Sequence, residues 1–274
     1  MTSLFRCPIC SAPLERLERS YTCPGRHCYD IAKEGYVNLL PANKKHAKDP
    51  GDDKDMAAAR TRFLDAGHYA PLRDALCRLI VDEKPGVFVD SGCGEGYYTA
   101  GVCEALRQAG VSARCAGVDL SRSALKKAAR RDKEAEFAVA SVYHLPVADD
   151  TADVLLNCFS PLALEEFQRV LRPGGLFLYV VPGPRHLWEL KQVLYDRPYE
   201  NEEKQEEYSG FFGEKIVPVE YSFTLPDTQA IKDLFGMTPY AWKTPKEGVQ
   251  RLETLDSLSV TAQFRIHAFR REED

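Results

Sequence analysis

The chain has 274 residues, 44 % of them hydrophobic and 28 % charged, with a net charge of −5. That length allows one medium domain plus a small accessory module. So ordinary a composition, without an apolar run near the ~18 residues of a membrane helix, excludes collagen-like, disordered and membrane-spanning chains. The mildly acidic balance argues against indiscriminate polyanion binding. Nine cysteines, an odd number, behind a start without an apolar signal segment (Met1 to Arg6) predict a reducing cytoplasm rather than a secreted disulfide framework.

Four of those cysteines fall within the first 28 residues, as Cys7-Pro-Ile-Cys10 and Cys23-Pro-Gly-Arg-His27-Cys28. Zinc takes four soft or borderline ligands in a tetrahedron, and a two-residue spacer lets both thiolates of a pair face one ion. Cys7, Cys10, Cys23 and His27 are the expected ligands, with Cys28 competing for the fourth place. A site closed by four protein ligands is structural, its binding energy folding a segment too small to fold alone. Residues 1–48 hold eight lysines and arginines against four acids, whereas five glutamates crowd into 200–207. A basic head on an acidic body is compatible with docking nucleic acid at one end only.

After a turn-rich, strand-like stretch to residue 40, residues 41–55 are polar and broken by Pro and Gly, as a linker or a substrate-ordered loop would be. Helical patterns follow over 56–66 and 69–81. Then comes an alternating series: strand 87–89, a glycine loop, a helix to about 109, strand 113–118, a helix 122–131 capped by Ser121, strands 135–139 and 154–157, a helix 162–171, and strand 176–181. A helix over 187–195, an extended run 215–225, a helix 227–235 and a final alternating strand 258–269 complete the chain. Strands alternating with helices of this length predict βαβ units and a parallel sheet covered on both faces, hence an α/β fold. The divisions are 1–40 for a zinc-binding module, 41–82 for a linker and helices, and 83–274 for the catalytic domain.

The glycine loop, Asp90-Ser-Gly92-Cys-Gly94-Glu-Gly96, follows the first strand of that series and opens a helix. Glycines there permit a tight turn and close approach of backbone to a ligand. Gly-x-Gly-x-Gly preceded by an acid differs from the Gly-x-Gly-x-x-Gly of dinucleotide binders and suits a cationic ligand better than a pyrophosphate. Asp119 ends the second strand, where a carboxylate can accept both hydroxyls of a ribose. With Leu171-Arg-Pro-Gly-Gly175, these resemble the motifs of class I S-adenosylmethionine (SAM)-dependent methyltransferases, a Rossmann-like fold with a seven-stranded, mostly parallel sheet. The resemblance makes Asp90, Gly92, Gly94, Gly96, Tyr97, Asp119, Leu120 and Ser141 the candidate cofactor residues; Ser141 stands where many such enzymes have an acid for the adenine amine.

Longer strings narrow the resemblance. The Cys7/Cys10/Cys23/His27 knuckle, Ala32-Lys-Glu-Gly-Tyr-Val-Asn-Leu-Leu-Pro41, Asp49-Pro-Gly-Asp52, Arg62-Phe-Leu-Asp-Ala-Gly-His-Tyr69, Asp90 to Tyr98, Gly183-Pro-Arg-His-Leu187 and Met237-Thr-Pro-Tyr-Ala-Trp242 run almost the full length. In these the chain resembles the RlmA/RrmA family of 23S rRNA (guanine-N1-)-methyltransferases. That resemblance implies methyl transfer to N1 of a guanine in a 23S rRNA hairpin, with the zinc module recognising RNA, and pairing into a homodimer. One branch of the family is tied to macrolide resistance, and Asn157-Cys-Phe-Ser-Pro161 is similar to its Gram-positive members. Guanine N1 must lose a proton, so a base or an anion-stabilising group is needed. In a doubly wound sheet ligands lie beyond the carboxyl ends of the strands. The expected catalytic residues are therefore Asn157, to orient the guanine edge, and His186, as base. Ser160 and Pro161 lie beside them, Arg185 and Lys33 are candidate phosphate contacts, and Tyr36, Tyr69 and Trp242 candidate base-stacking rings. Two other readings compete: a small-molecule methyltransferase that keeps zinc for stability, and a non-catalytic RNA binder.

Overall fold

Alternating apolar runs and helical stripes become one large sheet in the computed structural model, which describes residues 2–41, 54–203 and 207–273. The expected linker, the string Asp49 to Asp52 and the basic residues Lys44, Lys45 and Lys48 with His46 lie wholly or largely outside the described residues, as does the middle of the acidic stretch.

The head is a four-stranded antiparallel meander, β1 (Thr2–Arg6), β2 (Pro13–Arg16), β3 (Ser20–Thr22) and β4 (Cys28–Asp30). Then come β5 (Tyr36–Asn38), α1 (Lys54–Asp65), α2 (Ala70–Glu83), β6 (Val87–Ser91), α3 (Tyr97–Gln108), β7 (Arg114–Asp119), α4 (Arg122–Arg131) and β8 (Glu136–Val139). The second half adds β9 (Ala152–Cys158), α5 (Leu164–Val170), β10 (Leu171–Pro182), α6 (Trp188–Leu194), β11 (Phe211–Leu225), α7 (Thr228–Met237), α8 (Lys246–Glu253) and β12 (Leu258–Arg271). The strand order of the large sheet is β11-β12-β10-β9-β6-β7-β8-β5. Only β12 runs antiparallel to its neighbours β10 and β11, and the remaining pairs are parallel.

The seven expected strands are thus present and an eighth joins them. β5 pairs in parallel with β8, Val37 opposite Ala138, and Val37 is fully buried. The chain therefore enters the large sheet before residue 40. Nothing local in Tyr-Val-Asn announces this, because the pairing partner lies about a hundred residues away.

Each face of the sheet carries its own core. α2, α3, α4, α6 and α7 cover one, with Leu72, Leu76, Val102, Leu125 and Leu190 buried against Phe88, Leu156 and Leu178. The connection from β8 to β9, residues 140–151, has no helix, although helices are the usual cover for strands of a parallel sheet. The zinc head takes that place. Leu4, Phe5, Leu14 and Tyr21 pack with Val142, Leu145, Val147 and the sheet residues Val89, Val118 and Leu155. Phe5 forms an antiparallel bridge with Val147, and the Arg6 amide donates to the Pro146 carbonyl at 2.7 Å. Glu136 fixes the contact by accepting from the Leu4 amide at 2.9 Å, the Tyr21 hydroxyl at 3.2 Å and the Ser3 hydroxyl. Among the described residues no helix is long and apolar enough to cross a membrane.

Candidate active site and metal centre

The turns of the head converge on Cys7, Cys10, Cys23 and His27, whose ligand atoms all lie within 4.8 Å of one another. The Cys7 and Cys23 sulfurs are each 3.4 Å from His27 Nδ1, and the Cys10 and Cys23 sulfurs are 3.7 Å apart. A tetrahedron with zinc–sulfur bonds near 2.3 Å and zinc–nitrogen bonds near 2.0 Å has sulfur–sulfur and sulfur–nitrogen edges of about 3.8 and 3.5 Å. The donor set and its spacing therefore fit Zn2+, with all four positions filled by protein. Ser11 and Arg26, both with left-handed backbones (φ 58° and 62°), form the turns that aim the ligands inward. Burial raises the Cys7 thiol, but hydrogen bonds from Tyr29 and the backbone of Cys10 and Ile9 outweigh it and bring the group down to about 6. Cys28 is exposed and starts β4 opposite Thr22, outside the group of four. Cys28→Ser should leave the zinc content unchanged at one ion per chain by atomic-emission analysis; loss of metal would put Cys28 in the site.

The cofactor loop leaves β6 at Asp90 and Ser91 and passes through Gly92, Gly94 and Gly96, all left-handed (φ 81°, 53° and 76°), before α3. At Gly96 a Cβ would lie 2.8 Å from Cα of Ala128 on α4, so this glycine serves close packing of two helices rather than the ligand. Gly96→Ala combines a strained φ with a backbone clash and should cost at least about 2 kcal/mol in urea melts. Asp119 Oδ2 accepts from the Gly94 amide at 2.9 Å and Oδ1 from Ser121 at 2.7 Å, which ties the loop to the end of β7. Asp90 is 2 % exposed; its Oδ2 accepts from Thr99 at 2.6 Å, while Oδ1 is buried without a partner. Burial pushes this carboxyl up to about 7. An orphaned carboxylate oxygen beside a glycine loop fits a cationic ligand of the S-adenosylmethionine type.

Asp90, Gly92, Gly94, Tyr97 and Asp119 border one cavity of about 690 Å3 at the carboxyl ends of the strands. Leu120 and Ser141 do not line it. Leu120 is 36 % exposed beyond β7, and Ser141 accepts from the Tyr143 amide at 3.2 Å within a separate groove beneath the head. Glu95, inside the loop and unremarked in the sequence, is buried and bonded to Arg131 at 2.5 Å and to Thr61 at 2.5 Å, so it clamps α1 over the loop.

The substrate side of the cavity departs from expectation at both catalytic candidates. Asn157 is fully buried and does not line the cavity; its Nδ2 donates to the Pro161 carbonyl at 3.0 Å, which shapes the loop 158–161, while its Oδ1 is buried without a partner. His186 does line the cavity, but its Nδ1 accepts from the Gln263 amide at 3.2 Å and its Nε2 lies 3.4 Å from the Tyr69 hydroxyl. Burial holds the imidazole down at about 3, so this ring is neutral, with its basic lone pair already in use. Tyr36 is a core residue; Tyr69 borders the cavity but is buried, packed edge-on against Phe63 and Phe264 at 4.9 Å each, whereas Trp242 is 70 % exposed. Lys33 is exposed, and the Arg185 guanidinium lies over the Trp188 ring at 4.8 Å. Among the cavity aromatics that the sequence did not single out as ring contacts are Tyr98, Tyr199, Tyr240 and Phe159, and Phe159 stands apart by its backbone. It lines the cavity, is half exposed, and holds a left-handed backbone (φ 56°) that costs a non-glycine residue energy.

The eight-stranded sheet, the glycine loop with its two acids and the four-ligand head together define a SAM-dependent methyltransferase carrying a zinc ribbon. The family model "RlmA, N-terminal", a zinc ribbon, matches residues 5–48, and the model "Methyltransferase domain" matches residues 89–179. The chain is 36 % identical over 264 residues to the 23S rRNA (guanine(748)-N(1))-methyltransferase of Streptomyces fradiae, covering 92 % of this chain and 91 % of that one. It is also 36 % identical over 276 residues to YxjB of Bacillus subtilis, assigned as a 23S rRNA (guanine-N(1)-)-methyltransferase, covering 96 % of both. A malonyl-[acyl-carrier protein] O-methyltransferase of Hamiltonella defensa shares 33 % identity over 128 residues only, 43 % of this chain. The chain belongs to the RlmA family of 23S rRNA (guanine-N(1)-)-methyltransferases.

Proposed function

We propose that this protein transfers a methyl group from S-adenosylmethionine to N1 of a guanine in 23S rRNA. The observation that carries the reading is that its likeness to the rRNA enzymes spans nearly the whole chain, zinc ribbon included, rather than a methyltransferase core alone. The hairpin target, the pairing of two copies and the cytoplasmic site of action enter this proposal from the family resemblance. So does the division into a head for RNA, a linker with helices, and a catalytic domain.

When bound, S-adenosylmethionine supplies a methyl on a sulfonium, which departs as a neutral thioether while the N1–CH3 bond forms. Asp90, Asp119 and the backbone of Gly92 and Gly94 are positioned to hold the donor. The target base must leave its stack to reach the cavity, and the exposed Phe159 ring at its mouth is placed to stack on it. His186, neutral and buried, keeps that wall dry and rigid. Alignment and exclusion of water are the chief contributions the protein makes to such a transfer.

The test is primer extension on 23S rRNA from cells with and without the gene. A methyl on N1 blocks Watson–Crick pairing and stops reverse transcriptase. A single stop at a guanine, present only with the gene and restored by purified protein acting on unmodified rRNA, is the expected result. Identical stops in both strains would sink the proposal.

A further inference from the structure

Lys191 on α6 has no solvent exposure, although a lysine in a helix usually lies at the surface. Its ammonium donates to the Tyr199 carbonyl at 2.9 Å and to Asn201 Oδ1 at 2.8 Å, and it lies 4.6 Å from the centre of the Tyr199 ring and 5.7 Å from that of Tyr240. No carboxylate among the described residues pairs with it. The charged and titratable groups that face it are Glu200, whose field favours the ammonium, His186, whose pKa it lowers, and the phenols of Tyr199 and Tyr240. Burial lowers its own pKa. A buried cation without a counter-ion is expensive, and this one sits directly behind Tyr199, Asn201 and Tyr240, which line the cavity.

The chemistry of an ammonium decides how Asn201 is turned. Lys191 can only donate, so the amide must present Oδ1 to it and Nδ2 elsewhere. Nδ2 donates to the Gly183 carbonyl at 2.7 Å, and the Asn201 amide donates to the Pro184 carbonyl at 2.8 Å. One N–H of Nδ2 is thereby used and the second is left on a cavity-lining residue. A cation on Oδ1 draws electrons through the amide and makes that N–H a stronger donor. On guanine, O6 is the acceptor beside N1, while the exocyclic N2 is a donor. When N1 loses its proton, the electron pair spreads over N1 and O6.

We propose that Asn201, turned and polarised by Lys191, donates to O6 of the target guanine and stabilises the anion from which N1 is methylated. The inference rests on the guanine-N1 reading above. In balance, the N1 proton passes to water and the negative charge is shared by N1 and O6. N1 then forms its bond to the methyl carbon, while sulfur keeps the electron pair of the broken S–CH3 bond. Asn201 touches the substrate and is a catalytic residue; Lys191 acts through it and is a positioning residue. Adenine carries an amino donor where guanine has O6 and would leave two donors opposed, so the same pair selects guanine.

The experiment uses the full-length zinc-loaded protein, unmodified 23S rRNA transcript and tritiated methyl donor. The wild-type product is mapped first; a methyl anywhere but guanine N1 overturns the functional reading itself and this inference with it. With N1 confirmed, kcat and KM are measured against pH for wild type, Lys191→Met, Lys191→Arg and Asn201→Ala. Lys191→Met should leave KM nearly unchanged and lower kcat about tenfold at neutral pH, with the rising limb moved up by about one unit. Alkaline pH should restore the rate, Lys191→Arg should recover part of it, and Asn201→Ala should show the same displacement. Should Lys191→Met fail to fold, Asn201→Ala decides, because its side chain is only partly buried. Equal loss at every pH, or a change in KM alone, would overturn the inference.

Discussion

Cys10→Ala is expected to unfold the head and abolish methyl transfer to rRNA while leaving affinity for S-adenosylmethionine little changed. Cys10 is exposed, so its replacement opens no cavity and removes only a ligand. Structural zinc in small domains contributes about 10–16 kcal/mol, as much as the whole stability of an ordinary domain. The meander of β1 to β4 is too small to fold on its apolar contacts alone. Its side chains Leu4, Phe5, Leu14 and Tyr21 cover the part of the sheet face left open by the helix-free β8–β9 connection, so their release exposes Val142, Leu145 and Val147 and lowers the melting temperature of the remainder. No described residue of the head lines the cofactor cavity. Hydrogen exchange should therefore lose protection in residues 2–30 with β6 and β7 still protected, and calorimetric titration should find donor affinity close to wild type. Donor affinity lost in step with RNA methylation would mean that the head supports the catalytic fold rather than gripping RNA.

Legibility in the sequence follows the range of the interaction that fixes each feature. The ligands Cys7, Cys10, Cys23 and His27 are close in sequence, and the geometry of one metal ion dictates their spacing. Asp90, Gly92 and Gly94 are legible because a loop that brings backbone against a ligand needs glycine, and Ser121 because a helix cap is local. The strand-like stretch to residue 40 contains β5, but its place in the large sheet was hidden, since that depends on pairing with the distant β8. α8 was hidden as well: Lys246 to Glu253 is mostly polar, and its buried positions are only Leu252 and Gly248, where a Cβ would strike the Leu194 carbonyl. Lys191 and Glu95 carry no signal in the sequence, because burial by distant segments leaves no mark on neighbouring residues. Asn157 and His186 stood in the right loops, but a hydrogen bond from Asn157 Nδ2 to Pro161 and one from the Gln263 amide to His186 hold both rigidly in the wall of the fold, and such partners are not visible from spacing. Phe159 sat inside a string chosen for its likeness to relatives; the positive φ that exposes its ring is a property of the folded loop.

Asp90→Asn should make the protein more stable and a worse enzyme. Its carboxyl is raised from 3.8 to about 7 because burial penalises the charged form, the Thr99 hydrogen bond only partly offsetting this and the Asp119 charge adding to it. Between pH 4 and 7 the unfolded chain has released this proton while the folded protein retains it, so the native state binds more protons and stability falls as pH rises. The contribution is intact below the unfolded value and gone above about 7. About three units correspond to roughly 4 kcal/mol as an upper bound. An asparagine cannot ionise, so the gap between variant and wild type in urea melts should be small at pH 4 and widen up to pH 8. A parallel pair of curves would refute the account. The same cost is what a cationic ligand relieves. Its charge beside Oδ1 favours the ionised form, hence wild-type affinity for S-adenosylmethionine should tighten as pH rises through 7, whereas the variant should bind at least about tenfold more weakly above pH 7 and without that pH dependence. On the proposed placement of the methyl donor, stability given up at one buried carboxylate thus becomes binding energy for that donor.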